Sequence, residues 1–503
     1  MTSSSSSSSS PPSSLTAAQR NLLSYFTPSN NTLFHGDEGP ATTAYYDALT
    51  HPFPAVGIKY INAVRGKAVV ATRDVGEGEV VFTDAPILAM RDFDSEATIL
   101  ICETCYTPLG TPATQLAHIL DRAPTAAELA LVSSDVEPPP PTTTTGDADH
   151  DFIHCECGTA AFCSTECQSG APHRLLCPAD ASRDTSAAAL AAFKHHAAHT
   201  NDVFYLALVF YARVKADIKH ALVTSSSSST SSPSPSSPTT TIHSTIPQAL
   251  RTALAPFRLI AKRFWWDVLQ PLPTDEDYEP PESFRAQLEQ VLQESLVLLR
   301  NVVIGKSEEA DTTAAAVRTM MDDILNTEFY ALVVGMFEMN ILGAEIESPL
   351  TDRLDDNNNP ELATLVRDAL ISSSTTTDDS HHDHDNDDNH DSNDSDSEND
   401  TPPPLQADLA LLFPLHSVLN HSCTPNAVVG FSHGRATITA VRAIKAGAEV
   451  CADYVHGEQG GARREAIRKW GSEMVCPVGE CVVCDAEDVD EDDEDEEDED
   501  VSP

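Results

Sequence analysis

The chain has 503 residues and carries 78 acidic against 30 basic side chains, a formal net charge of -48. This charge argues against direct nucleic-acid binding, which needs patches of lysine and arginine. No apolar run approaches the roughly 20 residues that span a bilayer, and the serine-rich start lacks the basic and apolar parts of a secretory signal. We therefore expect a soluble intracellular protein without a membrane segment. Reducing compartments disfavour disulfides, so the twelve cysteines point to metal binding.

Polar low-complexity segments interrupt the chain and contain too few apolar residues to form a core. We expect disorder over most of residues 1–50 and over 224–245, 351–405 and 485–503. Residues 378–400 hold eleven acids and residues 485–500 hold fourteen, so much of the negative charge lies in segments that would recruit a basic partner or aid solubility.

The remaining sequence alternates between strand and helix patterns. Apolar and β-branched runs separated by glycines predict short strands at Val56–Ile61, Ala68–Ala71 and Glu79–Thr83. Apolar residues at spacings of three and four then predict helices from Thr185 to Ala344. Strands return only at Ala427–Val441 and Glu449–Tyr454. The predicted fold class is α+β.

Cysteine and histidine residues between the first strands and the helices form four close pairs. They are Cys102 and Cys105, Cys155 and Cys157, Cys163 and Cys167, and His173 and Cys177. Eight such ligands satisfy two tetrahedral zinc sites, and no position is left open for a catalytic water, so the zinc ions would be structural. Buried thiols without metal rarely collect at such short spacings.

Two motifs near the C-terminus carry the chemistry. Asn420-His421-Ser422-Cys423 follows an apolar segment, and Glu449–Tyr454 follows about thirty residues later. The tetrapeptide alone is compatible with an ordinary turn, because Asn and Ser bond their own backbone. Together, and in this order, the two motifs resemble the catalytic core and the terminal strand of SET-domain methyltransferases.

The layout of strands, cysteines, helices and motifs resembles the SMYD family, in particular its divergent fifth branch and fungal relatives. In that family a MYND-like zinc module and a helical insertion split a β-rich SET fold, and a post-SET zinc segment follows. Gly57–Ala89 resembles the N-terminal SET portion, and Phe337–Asn340 the end of the helical insertion. The implied boundaries are 54–101 (N-terminal SET portion), 102–177 (zinc module), 185–350 (helical insertion), 406–456 (catalytic core) and 457–484 (post-SET segment).

The resemblance also implies how the metal ligands are shared. One zinc would take Cys102, Cys105, Cys163 and Cys167, and the other Cys155, Cys157, His173 and Cys177. Cys155 is one residue closer to Cys157 than the MYND pattern has it, so His154 is an alternative ligand. A third zinc would be bound by Cys423, Cys476, Cys481 and Cys484, although the gap between Cys476 and Cys481 is longer than usual.

The same resemblance implies S-adenosylmethionine as cofactor. Asn420 and His421 would bind it, Asn340 would hold its amino acid end, and Lys67 and Ala68 would line the opposite wall. Tyr454 would contact the cofactor and act as the catalytic residue that orients the lysine amine. In the family the turn at Lys67 reads Gly-x-Gly, so Ala68 adds a methyl group near the cofactor.

The expected function is protein-lysine N-methylation of a basic protein, with histone H4 first and other nuclear or ribosomal proteins next. We expect a monomer in the nucleus and cytoplasm whose zinc module binds a partner peptide. One alternative is an inactive SET-MYND scaffold, which the altered turn and the long post-SET gap would favour. A RING-like ubiquitin ligase is a weaker alternative, because it explains nothing after residue 180.

Overall fold

The computed structural model describes residues 15–28, 39–62, 65–132, 152–170, 172–179, 186–227, 246–269, 281–305, 312–355, 359–374, 404–455, 463, 466 and 467. Within these residues, no helix combines the length and the apolar character needed to cross a membrane.

Twelve strands lie in the described residues. They are Val56–Asn62 (β1), Gly66–Ala71 (β2), Val80–Asp84 (β3), Leu88–Arg91 (β4), Ile153–His154 (β5), Ala161–Phe162 (β6), Ile341–Glu347 (β7), Gln406–Leu412 (β8), Asn420–His421 (β9), Ala427–Ser432 (β10), Arg435–Ala440 (β11) and Cys451–Ala452 (β12).

The same part of the chain contains fourteen α-helices. They are Ala17–Phe26 (α1), Gly39–Thr50 (α2), Pro112–Ile119 (α3), Ala126–Val132 (α4), Thr165–Gly170 (α5), Ala187–Thr200 (α6), Val203–Ser227 (α7), Gln248–Arg258 (α8), Trp265–Val268 (α9), Pro281–Val303 (α10), Thr312–Ile324 (α11), Thr327–Asn340 (α12), Thr351–Asp355 (α13) and Pro360–Ser374 (α14).

Small sheets pack together to form the β-rich part. Antiparallel β1 and β2 form one pair, β10, β11 and β3 form a second sheet, and β4, β8 and β7 form a third. The short strands β9 and β12 pair in parallel, with Cys451 opposite Asn420 and Ala452 opposite His421. Alternate side chains of β11 are buried, as expected for strands with one face on a core. These sheets share one apolar cluster that includes Val69, Phe82 and Ile438.

The helical part has its own core, built around α7 and α12. Both helices are apolar on nearly all sides at their centres, and such helices are stable only when other elements cover them. Phe210 and Tyr211 of α7 are fully buried, and the Tyr211 hydroxyl donates to the Ile324 carbonyl at 3.0 Å. Mixed helices and strands agree with the predicted fold class.

The prediction of disorder over residues 1–50 is wrong for α1 and α2. Thr16 and Gln19 form a capping box at the start of α1, and Leu22 and Phe26 are buried on its inner face. The first turn is therefore satisfied by side chains, and the apolar face joins the helical core. The serine-rich residues 1–14 lie outside the described residues.

Several other elements of the structure also differ from the predicted boundaries. Strands β7 and β8 were missed, because β7 directly continues the apolar end of α12 and β8 begins immediately after the segment predicted as disordered, which ends at residue 405. Residues 360–374 are helical, and Leu362 and Val366 pack against Leu116 of α3. Residues 224–227 extend α7. Asn326 separates α11 from α12, because its side chain accepts the Phe329 N–H at 3.0 Å and caps the new helix.

Candidate active site and metal centres

The predicted motif residues meet where three distant parts of the chain converge. The turn at residues 65–68 starts β2, the first two residues of the tetrapeptide form β9, and Glu449–Tyr454 contains β12. The Val450 N–H donates to the Val69 carbonyl at 2.9 Å, and the Ser422 N–H donates to the Ala452 carbonyl at 3.0 Å. Backbone pairing therefore fixes all three segments against one another.

The Asn420 side chain connects these segments. Its Nδ2 group lies 3.1 Å from the Lys67 carbonyl, 3.3 Å from the Arg65 carbonyl and 2.6 Å from Glu449 Oε1. Glu449 Oε2 in turn pairs with the Arg65 Nε at 3.0 Å. Asn420 thus holds the turn and the terminal strand in place, and its amide N–H groups are used within the protein.

His421 and Tyr454 are neighbours in the same junction. The Tyr454 N–H donates to His421 Nδ1 at 3.2 Å, and the two rings are 5.3 Å apart. Since Nδ1 accepts, the ring proton of a neutral His421 lies on Nε2, which is 3.2 Å from Cys423 Sγ. Burial lowers the pKa of His421 to about 4, so the neutral form is the relevant one.

The Tyr454 hydroxyl donates to the Leu419 carbonyl. Burial raises the pKa of this phenol well above its usual value, with the Cys451 thiol adding to the effect. Tyr454 therefore keeps its proton at neutral pH. Its hydroxyl group can form a hydrogen bond with a reacting nitrogen, but the protonated phenol does not remove a proton from that nitrogen.

The altered glycine turn is accommodated without backbone strain. Gly66 has a φ of +65°, a left-handed conformation that glycine adopts readily. Ala68 lies within β2 opposite Lys59, is fully buried, and is not among the described residues with positive φ. Its methyl group fills core space, so the missing second glycine does not disturb the turn.

Asn340 ends α12 and lies at a different edge of the junction. Its Nδ2 group donates to the Ala261 carbonyl at 2.8 Å and to the Met336 carbonyl at 2.7 Å. The residue thereby fixes the loop at 259–264, which also accepts the Lys67 ammonium through the Leu259 carbonyl.

Asp84 at the end of β3 was also missed. One oxygen of its carboxylate accepts the Leu415 N–H at 2.7 Å and the His416 N–H at 2.8 Å. Burial raises the pKa of Asp84 to about 6, although its three backbone hydrogen bonds oppose this shift. Asp84 shapes the turn that leads into β9.

The cysteine-rich region brings its predicted ligands into two clusters. The first contains Cys102, Cys105, Cys163 and Cys167, and the second contains Cys155, Cys157, His173 and Cys177. In each cluster the ligand atoms all lie within 4.8 Å of one another. The interleaved arrangement expected from the sequence is thus the one that the fold brings together.

The spacing of the ligand atoms suits zinc. Four sulfurs at about 2.3 Å from one ion are separated by about 3.8 Å. Cys105 Sγ is 3.6 Å from Cys163 Sγ, and in the second cluster Cys155 Sγ is 3.5 Å from Cys177 Sγ. His154 is exposed and its ring packs on Phe152. Cys155, rather than His154, therefore belongs to the second cluster.

The third predicted metal centre is described only at Cys423. Its sulfur lies beside His421 in the active-site junction. Cys476, Cys481 and Cys484 lie outside the described residues.

Comparison with known proteins agrees with this geometry. The family model of the SET domain matches residues 66–455, well over half of the chain. The chain belongs to the SET-domain family. This SET-domain protein is a protein-lysine N-methyltransferase, and enzymes of the family use S-adenosylmethionine as methyl donor.

Two relatives of the SET-domain protein differ in how much they share with it. Histone-lysine N-methyltransferase ATXR2 of Arabidopsis thaliana is 24% identical over 489 residues, which cover 85% of this chain and 91% of the relative. SET domain-containing protein SmydA-8, isoform A, of Drosophila melanogaster is 38% identical over 74 residues, covering 14% of this chain and 15% of the relative. The first match covers most of both chains, whereas the second covers only a small part of each.

Proposed function

We propose that this SET-domain protein is an S-adenosylmethionine-dependent lysine methyltransferase of the SMYD type, with Tyr454 as its catalytic residue. The observation that carries the proposal is the position of Tyr454. It lies two residues after the end of β12, contacts His421 of β9, and lies in the junction that also contains the Gly66 turn. The residues that were assigned from two separate motifs are therefore neighbours in space.

The residues of the junction fit such a cofactor. Asn420 and His421 would bind it mainly through their backbone, since the Asn420 amide N–H groups are already used. The wall at Lys67 and Ala68 offers a buried cationic group, which suits the negative end of an amino acid, and Asn340 lies beside the same loop. S-adenosylmethionine supplies an activated methyl group on a positively charged sulfur.

Catalysis would depend mainly on positioning. The lysine amine must be neutral and aligned with the methyl carbon, and a buried passage favours the neutral form because it removes the solvation of the charge. Tyr454, which keeps its proton, would hold the lysine nitrogen by a hydrogen bond. Backbone carbonyls near it would stabilise the positive charge shared during transfer. The methyl–sulfur bond breaks as the carbon–nitrogen bond forms, and water takes the surplus amine proton.

The zinc ions would have structural roles. The two clusters would belong to a MYND-like module that folds around its ions and presents a surface to a partner peptide. A third zinc would join Cys423 to Cys476, Cys481 and Cys484 after the SET core. The chain would thus consist of an N-terminal SET portion (54–101), a zinc module with two ions (102–177), a helical insertion (185–350), a catalytic core (406–456) and a post-SET segment that contributes to the third zinc site (457–484).

The proposed substrate is a basic protein, with histone H4 lysines first. ATXR2 is by its name a histone-lysine N-methyltransferase, and this supports a histone substrate and a role in chromatin for the present chain. A net charge of -48 favours the approach of a basic tail and disfavours nucleic acid. We place the protein in the nucleus and cytoplasm, acting as a monomer.

The first test is calorimetric titration of the zinc-loaded protein with S-adenosylmethionine. We expect binding by the wild type and a large loss with the double variant Asn420→Ala/His421→Ala, because the Asn420 side chain holds in place the backbone that would contact the cofactor. Transfer of labelled methyl groups to histone H4, other histones and ribosomal proteins then tests the substrate. A folded, zinc-loaded protein that does not bind the cofactor would favour an inactive scaffold.

A further inference from the structure

An arginine outside both C-terminal motifs holds the chain on either side of Tyr454. Arg463 is 2% exposed, and the two terminal nitrogens of its guanidinium group donate to different acceptors. Nη2 donates to Asp453 Oδ1 at 2.6 Å, and Nη1 donates to the Val455 carbonyl at 2.6 Å. Since Asp453 and Val455 are the direct chain neighbours of Tyr454, one planar group fixes the backbone before and after it. We call Asp453, Val455 and Arg463 the arginine clamp.

The carboxylate of the arginine clamp also faces β9. Asp453 Oδ1 accepts the Val455 N–H at 3.1 Å and lies 3.6 Å from His421 Nδ1. The same His421 nitrogen accepts the Tyr454 N–H. Among the described residues, Arg463 is the one arginine or lysine that pairs with Asp453. Arg463 is therefore connected to Tyr454 through both of its chain neighbours and through His421.

A buried ion pair of this kind contributes more to geometry than to stability. The Arg463 side chain is 3% exposed and that of Asp453 is 18% exposed, so both charges have lost most of their hydration. This loss offsets much of their attraction, and apolar residues of similar size often stabilise a fold equally well. Apolar residues do not provide directed hydrogen bonds, whereas a guanidinium group provides several in one plane. The arginine clamp thus gives the turn at 453–455 a fixed conformation.

The conformation of this turn determines where the Tyr454 ring begins. At its other end the hydroxyl group donates to the Leu419 carbonyl. A methyl transfer that depends on alignment is sensitive to small shifts, because a misplacement of about 1 Å can lower a rate about 10²-fold. A change that loosens the turn would therefore alter the rate even if every group that contacts the substrate were still present.

We infer that Arg463 is a positioning residue of the methyl transfer and acts through the conformation of Tyr454. This inference rests on the proposed function and adds a residue that works only through other residues of the chain. Arg463 carries no recognisable motif, and the structure alone brings it to the junction.

The first experiment measures steady-state methyl transfer by Arg463→Met, with the best substrate found among histones and ribosomal proteins. We expect kcat to fall about 10–100-fold, with KM and the affinity for S-adenosylmethionine nearly unchanged. Arg463→Lys keeps the charge without the planar pair of donors, so it should restore only part of the rate. Arg300→Met is the matched control, because Arg300 donates to Asp322 at 2.5 Å and to the Leu325 carbonyl at 2.7 Å in the helical part. It should leave kcat unchanged.

A double variant distinguishes positioning from a general loss of structure. Residues that act through one another have strongly non-additive effects on the rate. Arg463→Met should therefore slow Tyr454→Phe by at most about twofold, although it slows the wild type much more. If the same factor appeared in both backgrounds, Arg463 would not act through the Tyr454 hydroxyl group, and the inference would be wrong.

Zinc content and thermal melting are measured for every variant, because Arg463 also hydrogen-bonds to Cys423, a ligand of the proposed third zinc site. We expect the zinc content to stay unchanged in Arg463→Met. Loss of one zinc ion together with the rate would assign Arg463 to the metal centre and overturn the positioning role. If Arg463→Met does not fold, Arg463→Lys decides, since a folded lysine variant with the full wild-type rate would show that the two-donor contact is not needed.

The outcomes separate this inference from the proposed function. If the wild type methylates its substrate and Arg463→Met retains the wild-type kcat, Arg463 is not a positioning residue and the proposed function stands. If the folded, zinc-loaded wild type neither binds S-adenosylmethionine nor methylates any of these proteins, the proposed function fails, and the inference fails with it.

Discussion

The cysteine-rich module and the active-site junction both join residues distant in sequence, but different forces hold them. The module at residues 102–177 has a small apolar core, including Leu109 and Phe162, and two ligand clusters suited to zinc. The junction lies on an extensive apolar core and is held by backbone pairing and by Asn420. A small core needs metal to be stable, whereas the junction depends on chain segments that pack without it.

Metal removal should affect the module far more than the junction. Structural zinc contributes on the order of 10 kcal/mol to folding, so chelation, or Cys163→Ser, should abolish the hydrogen-exchange protection of residues 152–177. The strands β10 and β11 should keep most of their protection. Cys451→Ala is a control, because Cys451 lies outside both clusters and its replacement should not change the zinc content. Unchanged protection of residues 152–177 without metal would show that the cysteine-rich module does not depend on zinc for its stability.

Tyr454→Phe should separate activity from stability in the junction. Loss of the hydroxyl should lower methyl transfer by about 10²–10³, a typical effect of removing a positioned hydrogen-bond donor. The free energy of unfolding should fall by only about 1 kcal/mol. Tyr330→Phe removes the buried hydrogen bond to Ser295 in the helical core and is the matched control. It should lower stability by a similar amount and leave the rate of transfer unchanged, so a rate loss in both variants would argue against a special role of Tyr454.

Asp84→Ala should destabilise the junction by about 2–4 kcal/mol. It leaves the backbone N–H groups of Leu415 and His416 without their acceptor, and each unsatisfied buried group costs about 1–3 kcal/mol. Urea denaturation measures the loss, and Asp84→Asn should cost less because its oxygen still accepts.

The difference in stability between the wild type and Asp84→Asn should depend on pH, because the pKa of Asp84 is shifted by folding. Its value of about 6 in the folded protein exceeds its usual value of 3.8, so the folded state binds the proton more tightly. The wild type should therefore gain stability relative to Asp84→Asn as the pH falls from 7 through 6, down to about 4. A difference that is constant over this range would show that the carboxyl is not perturbed.

Gly434→Ala tests the contact between the two regions and should have the smallest effect. Gly434 has a φ of +71°, and an added Cβ would lie 3.0 Å from the Cα of Cys105, a ligand of the first cluster. The left-handed backbone costs about 1–2 kcal/mol for alanine, and the clash should also speed zinc release to a chelator. Gly78→Ala is the control, since Gly78 has a φ of +77° with open space around it. Equal zinc release from both variants would mean that the hairpin does not support the cluster.

The sequence predicted the residues that belong to local motifs. The ligands of both cysteine clusters follow from short spacings, and Asn420, His421 and Tyr454 follow from two motifs, so their meeting in space could be anticipated. The role of Asp84 could not be predicted, because it binds backbone N–H groups that only the folded chain brings close. The choice between His154 and Cys155 also needed the structure, since both spacings suit zinc.

The ion pair between Arg65 and Glu449 bridges residues 384 positions apart, and β12 comes nearly at the end of the described chain. A ribosome adds roughly 5–20 residues each second, and segments fold as they emerge. The helical part can therefore form its core early, while β1 and β2 wait tens of seconds for their last partner. Premature termination even slightly before Glu449 would release a chain with most of its mass but without Glu449, β12 and Tyr454, which complete the active-site junction.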